Sequence, residues 1–561
     1  MNQHKIPFLN DSYHQHALSK LQSMTLEAKI GQLLGIAVWS NRDGNYEKKL
    51  LEQVSELQPG GIIFFQGTPD RQRSLSQRID EQLKEPALYS MDAEWGVSMR
   101  LDQAPGFPYN MTLGAIKDTA LIYEISSEIA HHLKQLGVGM NYAPVVDINN
   151  NAANPVISFR AFGSDPELVI EKSLAYLKGH QDQGVLTVAK HFPGHGDTSL
   201  DSHLDLPVIN KSKQELTQLE LKPFLKLMEA GVGGIMTGHL HIPDLEPESN
   251  RAATLSANIV QKWLKDELNY QGLVITDALD MKGVTRYFEP GEVELQSFLA
   301  GNDVLLFPRD PQKAVEKIKQ ALEQGLIKED TLEERVLKIL KAKLWVHANS
   351  LPNDDFNSSD LWSARVKKLN QEAASKSITI LKEDFHLRDG EKIVLIDLNL
   401  EANQGPYGAL QHHDITKPTD LDTQGLKEKV FYPMQKSLPS ASIDWIEAKG
   451  EQKLDELERV MKSQDDYNWL VIFLRGMPIK PINNFGLDQE IKAILDQYIM
   501  SGKGVLCLMG NVYALNQLKL WDRAAGVILT YQENSYAEPY LTDILLKNKP
   551  AEGSIPVEIS N

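Results

Sequence analysis

Residues 190–203 hold the densest group of chemically capable side chains in the chain. Lys190, His191, His195, Asp197, Asp201 and His203 fall there, with Gly194 and Gly196 flanking His195. Glycines at those points let a loop turn tightly and bring its backbone close to a ligand. Asp201 and His203 stand two apart, so in an extended loop their side chains share a face. A carboxylate beside an imidazole fixes its tautomer and raises its basicity, which makes a competent general acid/base pair. Other chemistry is open to the same stretch. His191, His195, Asp197 and His203 are possible metal ligands, although Pro193 and Gly194 interrupt the His-x-x-x-His spacing and the pattern matches no common zinc arrangement. Lys190 can form a Schiff base. Loop histidines can also be merely solvated, with Asp201 capping a turn.

Further titratable residues each follow an apolar run. Asp92 and Glu94 follow 87–91, Asp147 follows 138–146, and Lys190 and His191 end 185–190. His239 and His241 follow 233–237. Asp277 ends 272–276, with Asp280 and Met281 just beyond. A carboxylate directly after a buried run is costly unless it is paired, solvated or functional. Asp277 reads equally as a nucleophile and as a helix N-cap.

The elements that must position these residues alternate in type. Apolar runs at 30–37, 61–65, 87–91, 138–146, 185–190, 233–237, 272–276 and 303–307 read as buried parallel strands. Amphipathic segments such as 120–136, 167–183, 213–230 and 256–268 lie between them. The series predicts an α/β fold, an N-terminal (β/α)8 barrel over 1–348. An open doubly wound sheet is the alternative, because pattern does not reveal closure. In a barrel the carboxyl ends of the strands share one face, so the polar strand ends would line one pocket. A linker and connecting helix follow over 349–370. A smaller α/β/α sandwich is expected over 371–561, with a helix at 367–376 leading into 377–381 and strands at 393–398, 469–474, 504–509 and 526–530.

Composition narrows the class. The 561 residues are 42% hydrophobic and 24% charged, which fits a globular protein of two or three domains. A net charge of −18 and a pI near 5.4 argue against nucleic acid or an anionic membrane as the main partner. Cys507 is the one cysteine, so no intrachain disulfide can form. Residues 1–10 lack the apolar run of a signal peptide or anchor, and no stretch suits a bilayer span. The expected location is the cytoplasm, or the periplasm or exterior if a leader has been removed.

At the level of motifs the chain resembles glycoside hydrolase family 3, in its β-N-acetylglucosaminidase branch. Lys190-His191-Phe192-Pro193-Gly194-His195-Gly196-Asp197-Thr198 followed by Asp201-Ser202-His203 is similar to that branch's signature. The Asp-x-His element is its specific part, which family-3 β-glucosidases lack. Asn154-Pro155-Val156-Ile157 with Arg160 and Phe162-Gly163-Ser164-Asp165-Pro166 resembles a sugar-binding arginine loop. The run 272–281 resembles the nucleophile motif, Asp92 and Arg100 have the spacing of sugar-hydroxyl ligands, and Ala300-Gly301-Asn302-Asp303 resembles the last barrel strand. Ala93-Glu94-Trp95-Gly96-Val97 departs from the Gly-Gly-Arg turn of single-domain members, which puts the loop around Asp92 in question.

The resemblance implies a retaining exo-β-N-acetylglucosaminidase acting on a carbohydrate with a terminal β-GlcNAc. Asp277 would be the nucleophile, His203 the acid/base and Asp201 its orienting partner. Asp92, Arg100, Arg160, Lys190 and His191 would grip the sugar, with His239 and Met281 also against substrate. No metal or organic cofactor is implied. A family-3 β-glucosidase or β-xylosidase is the nearest alternative. A metal-dependent barrel hydrolase and a sugar-binding protein without catalysis are others.

Overall fold

The computed structural model describes residues 6–198, 206–351, 356–401 and 425–560, so Asp201 and His203 lie outside the described residues. The chain divides into two compact units. The first comprises Met1–Pro105, Ile122–Ile157 and Val169–Ser363; the second comprises Gly106–Leu121, Ser158–Leu168 and Ala364–Asn561.

In the first unit the strands are β1 (Leu34–Val38), β2 (Gly61–Phe64), β3 (Leu88–Met91), β4 (Met140–Asn141), β5 (Leu186–Phe192), β6 (Gly234–Thr237), β7 (Leu273–Thr276) and β8 (Leu305–Leu306). They are parallel, in the order β7-β6-β5-β4-β3-β2-β1-β8. The two ends of that order meet. Thr276 N donates to Val304 O at 3.0 Å and Val304 N donates to Val274 O at 3.1 Å. The sheet therefore closes, and the open-sheet alternative falls. Each of the eight apolar runs contributes one strand.

Two segments differ from their sequence pattern for steric reasons. The run 138–146 keeps regular strand geometry only at Met140–Asn141, because Pro144 has no N–H to give the ladder. Carbonyls of Ala143 and Pro144 still accept from Val188 N (3.0 Å) and Lys190 N (3.2 Å), so the segment stays on β5. The pattern 213–230 reads as one helix but folds as Lys213–Gln218 and Leu221–Ala230. The ring of Pro223 would strike the carbonyl of Leu219 in a continuous helix, and Leu219 leaves helical geometry at φ −129°, ψ −78°.

The amino ends of the last strands are braced by a buried ion cluster. Asp303 accepts from Val274 N at 2.8 Å, from Lys265 Nζ at 2.8 Å and from Lys338 Nζ at 3.1 Å. Burial alone would raise its carboxyl; the two lysines, with Arg335, hold it far below the usual carboxylate range. This end of a barrel serves stability, and the opposite end carries the polar strand ends noted above.

The second unit is built on strands β9 (Thr379–Glu383), β10 (Lys392–Asn399), β11 (Ser442–Ala448), β12 (Trp469–Arg475), β13 (Gly504–Leu508) and β14 (Gly526–Leu529), in the order β11-β10-β12-β13-β14-β9. All pairs are parallel except β14 with β9. Ile393, Leu395, Val471, Phe473, Val505 and Ile528 pack on one face of this sheet under the helix Glu538–Leu545. Cys507 is buried with them, and burial pushes its thiol up. Among the described residues no helix is long and apolar enough to cross a membrane.

Candidate active site

Asp92, immediately after β3, is the hub of the first cluster. Its Oδ1 accepts from Lys190 Nζ at 2.8 Å and its Oδ2 from Arg100 at 2.7 Å. Lys190 pairs also with Glu94 at 2.8 Å, and Lys190 and Glu94 are both buried. Burial would raise the Asp92 carboxyl, but Lys190 and Arg100 reverse that and keep it ionised far below the usual range. The result is a desolvated array of two cations and two anions, with directional donors and acceptors suited to sugar hydroxyls.

The loop under Asp92 takes its own shape here. Ala93 N donates to Asn141 Oδ1 at 3.0 Å, Tyr176 Oη donates to Ala93 O at 3.1 Å, and Gly96 turns at φ +99°. Asn141 Nδ2 lies 3.0 Å from His180 Nε2, and an amide nitrogen can only donate, so Nε2 accepts. His180 Nδ1 then donates to Ser126 Oγ at 2.7 Å. The chain of bonds requires a neutral imidazole, and burial holds His180 down to about 3.

The second cluster gathers on Asp147, which is fully buried. It accepts from His191 Nδ1 at 2.7 Å, from His191 N at 3.1 Å and from His195 N at 2.7 Å. Burial opposes its ionisation, while His191 and His195 lower its pKa below the usual value. The Lys190–His191 and Phe192–Pro193 peptides are cis. Beyond them the loop lies against other backbone. Gly194 adopts φ +134°, and a Cβ on Gly196 would sit 1.7 Å from Ile148 O, so both positions demand glycine as expected. Asn154 ties the loop down: its Nδ2 donates to His195 O at 2.9 Å and Gly196 O at 2.8 Å, and its Oδ1 accepts from Ile157 N at 2.9 Å.

His195 stands 5.7 Å from His191 between ring centroids, and its Nδ1 meets Thr198 Oγ1 at 2.9 Å. Burial first, then the neighbouring His191, push it down to about 4, with Asp147 and Asp277 pulling the other way. Asp277 therefore lies within electrostatic reach of the histidine cluster. It follows β7 directly, is part-exposed, and accepts from Ala278 N through Oδ1 at 2.8 Å. His239, after β6, places Nε2 2.9 Å from Ala278 O. A carbonyl only accepts, so His239 carries its proton on Nε2. Met281 is buried at the start of the turn Lys282–Thr285.

His180 and His195 make the fold acid-sensitive. Both are neutral when folded and reach about 6.5 when unfolded. Between that value and their folded values the unfolded chain binds more protons, so stability falls as pH falls. Each pH unit costs about 1.4 kcal/mol per histidine. Urea midpoints measured from pH 7.5 to pH 4.5 should drop steeply, and His180→Gln should flatten the slope. An unchanged slope would count against the neutral His180.

Of the residues expected at the site, Asp92, Arg100, Lys190, His191, His239, Asp277 and Met281 all fall in the first unit. Arg160 belongs to the second unit, on the short helix Ser158–Arg160. Its O accepts from Asn110 Nδ2 at 2.7 Å, and Ser158 Oγ accepts from Asn511 Nδ2 at 2.8 Å. Asp197, one of the candidate metal ligands, is ion-paired with Lys211 at 2.6 Å. Among the described residues, no three His, Cys, Asp or Glu side chains gather as a metal site. Sequence reasoning counted Asp147 and Glu94 among the polar strand ends but assigned neither a partner nor a catalytic or sugar-binding role. The signal for Asp147 was the same as for Asp277, a carboxylate immediately after a buried run.

The chain is similar to known proteins. The family model described as glycosyl hydrolase family 3 N terminal domain matches residues 25–342. A β-hexosaminidase A of Pseudoalteromonas piscicida is 33% identical over 382 residues, covering 62% of this chain and 63% of that protein, less than two thirds of its length. A β-N-acetylglucosaminidase/β-glucosidase of Cellulomonas fimi is 27% identical over 67% of this chain and 68% of its own. The solved structure of a family 3 β-N-acetylglucosaminidase from Paenibacillus sp. str. FPU-7 superposes with a TM-score of 0.76 at 27% identity, covering 96% of this chain and 99% of that one.

Proposed function

The chain belongs to glycosyl hydrolase family 3, and on that premise we propose that it is a retaining exo-β-N-acetylglucosaminidase. The observation that carries the reading is the position of Asp277. It is a part-exposed carboxylate at the carboxyl end of β7, coupled to His195 and sharing the barrel's polar end with Asp92, Arg100 and Lys190.

In this reading an oxygen of Asp277 attacks the anomeric carbon while the bond from that carbon to the leaving oxygen breaks. His203, oriented by Asp201, protonates the leaving oxygen. Water then attacks the glycosyl-aspartate, and His203 takes its proton. An imidazole titrates near pH 6.5 without perturbation, so it needs less tuning than a carboxylic acid to serve in both directions. Asp92, Arg100, Lys190 and His191 hold the sugar hydroxyls, and Arg160 is assigned to the sugar by its motif alone. A site built to pair hydroxyls discriminates strongly against sugars that lack them. The Pseudoalteromonas relative is a β-hexosaminidase, which supports the N-acetylhexosamine preference.

The double name of the Cellulomonas relative favours a second reading, β-glucosidase activity. Turnover of 4-nitrophenyl β-GlcNAc and β-glucoside, each with and without phosphate, decides between them. The expected result is a clear preference for β-GlcNAc. A higher kcat/KM on the glucoside would sink the proposal, and a rate that requires phosphate would replace hydrolysis with phosphorolysis.

A further inference from the structure

The polar end of the barrel is divided. Charged and hydrogen-bonding groups stand toward the carboxyl ends of β3 to β7, whereas an aromatic residue follows each of the three remaining adjacent strands β8, β1 and β2: Phe307, Trp39 and Phe65. Phe64 stacks on Tyr89, whose hydroxyl reaches Asp80 at 2.7 Å on the helix Pro69–Asp80, so both point outward. Alternation then turns Phe65 and Asp92 inward. Trp39 stacks on Phe65 at 5.1 Å and meets Phe307 at 5.5 Å, and Phe65 meets Phe307 at 5.6 Å. All three remain partly exposed.

Two features tie this surface to the polar site. The Arg100 guanidinium lies 4.8 Å over the Phe65 ring while it bonds Asp92 at 2.7 Å. Phe307 holds φ +52°, a left-handed conformation rare for a bulky residue, with its N–H bonded to Gly35 O at 2.8 Å. Such conformations persist where the surroundings fix them and gather at ligand sites.

We propose that Trp39, Phe65 and Phe307 form an apolar wall that packs the C5–C6 edge of the bound sugar and sets its preference for hexosides over pentosides. The inference rests on the reading of Asp277 as the point of attack. A pyranose with C1 at Asp277 and its C2–C4 edge along β6, β5 and β3 turns its remaining edge toward β8, β1 and β2. That edge bears one hydroxyl, on C6, and otherwise C–H groups, which suit aromatic faces.

The test uses matched aryl glycosides that differ only at C6: β-glucoside against β-xyloside, and β-GlcNAc against its analogue with hydrogen in place of the CH2OH. One carbon in an apolar pocket is worth roughly 10–200-fold. The wild-type protein should prefer the C6-bearing member of each pair, and Trp39→Ala should reduce that ratio about tenfold. Because the ratio is read on one preparation, a partly folded variant does not distort it; Trp39→Leu serves if the alanine variant is insoluble. In the Asp277→Asn protein, added GlcNAc should change a fluorescence component that Trp39→Phe removes, and xylose should not. A ratio unchanged within about twofold overturns the wall, as does a loss confined to disaccharides, which would make the surface a neighbouring-ring site. A glucoside preference would defeat the N-acetylglucosaminidase reading yet leave this ratio measurable.

Discussion

Asp277→Asn is expected to abolish turnover, lowering kcat by roughly 10⁴-fold or more, while leaving thermal stability unchanged. The pairing of those outcomes separates the two roles open to a carboxylate at this position. The side chain accepts a hydrogen bond from Ala278 N through Oδ1. An asparagine carbonyl accepts the same bond, and asparagine equals aspartate as a cap. A purely structural Asp277 would therefore tolerate the change. A nucleophile would not, since an amide cannot form the glycosyl ester. A variant within tenfold of the wild-type rate would remove the covalent mechanism.

His203→Ala is expected to cut kcat by about 10²–10⁴-fold on sugar leaving groups, the usual range for proton transfer. The loss should shrink sharply with dinitrophenyl glycosides, whose leaving oxygen departs without protonation. Burst kinetics with that substrate should appear, because the deprotonation of water remains impaired. The limb of the kcat pH profile near the imidazole pKa should disappear as well. Equal losses on activated and unactivated leaving groups would show that His203 acts in something other than proton transfer, and Asp201→Asn would then have no reason to mimic it.

The barrel was legible because its strands are buried on both faces and so read as continuous apolar runs, from 30–37 through 303–307. Strand β11 was not, because it lies at a sheet edge and its residues Asp444, Trp445, Ile446 and Glu447 are half-buried or exposed, which leaves no apolar run. Asp92, Lys190 and Asp277 were legible as polar residues at strand ends. The buried partners were harder to see. Glu94 and Asp147 matter through three-dimensional pairing with Lys190 and His191, and neither spacing nor composition encodes a partner about 44 or 96 positions away. Arg160 was singled out by motif resemblance, and its membership of the second unit depends on contacts with residues far along the chain.

Those contacts bear on the order in which the protein can be assembled. The segment that carries Arg160 is anchored by Ser164, whose N–H donates to Pro556 O at 3.0 Å and whose Oγ accepts from Glu558 N, 394 residues further along. Ser554 N likewise donates to Ala115 O at 3.0 Å on the other early segment of the same unit. A ribosome adding about 5–20 residues per second takes some tens of seconds to make that span. Within that interval strands β5 to β8 are made, and the arginine segment still waits for its support after β8 is complete. A nascent chain can thus complete its eight barrel strands before the segment bearing Arg160 can be anchored.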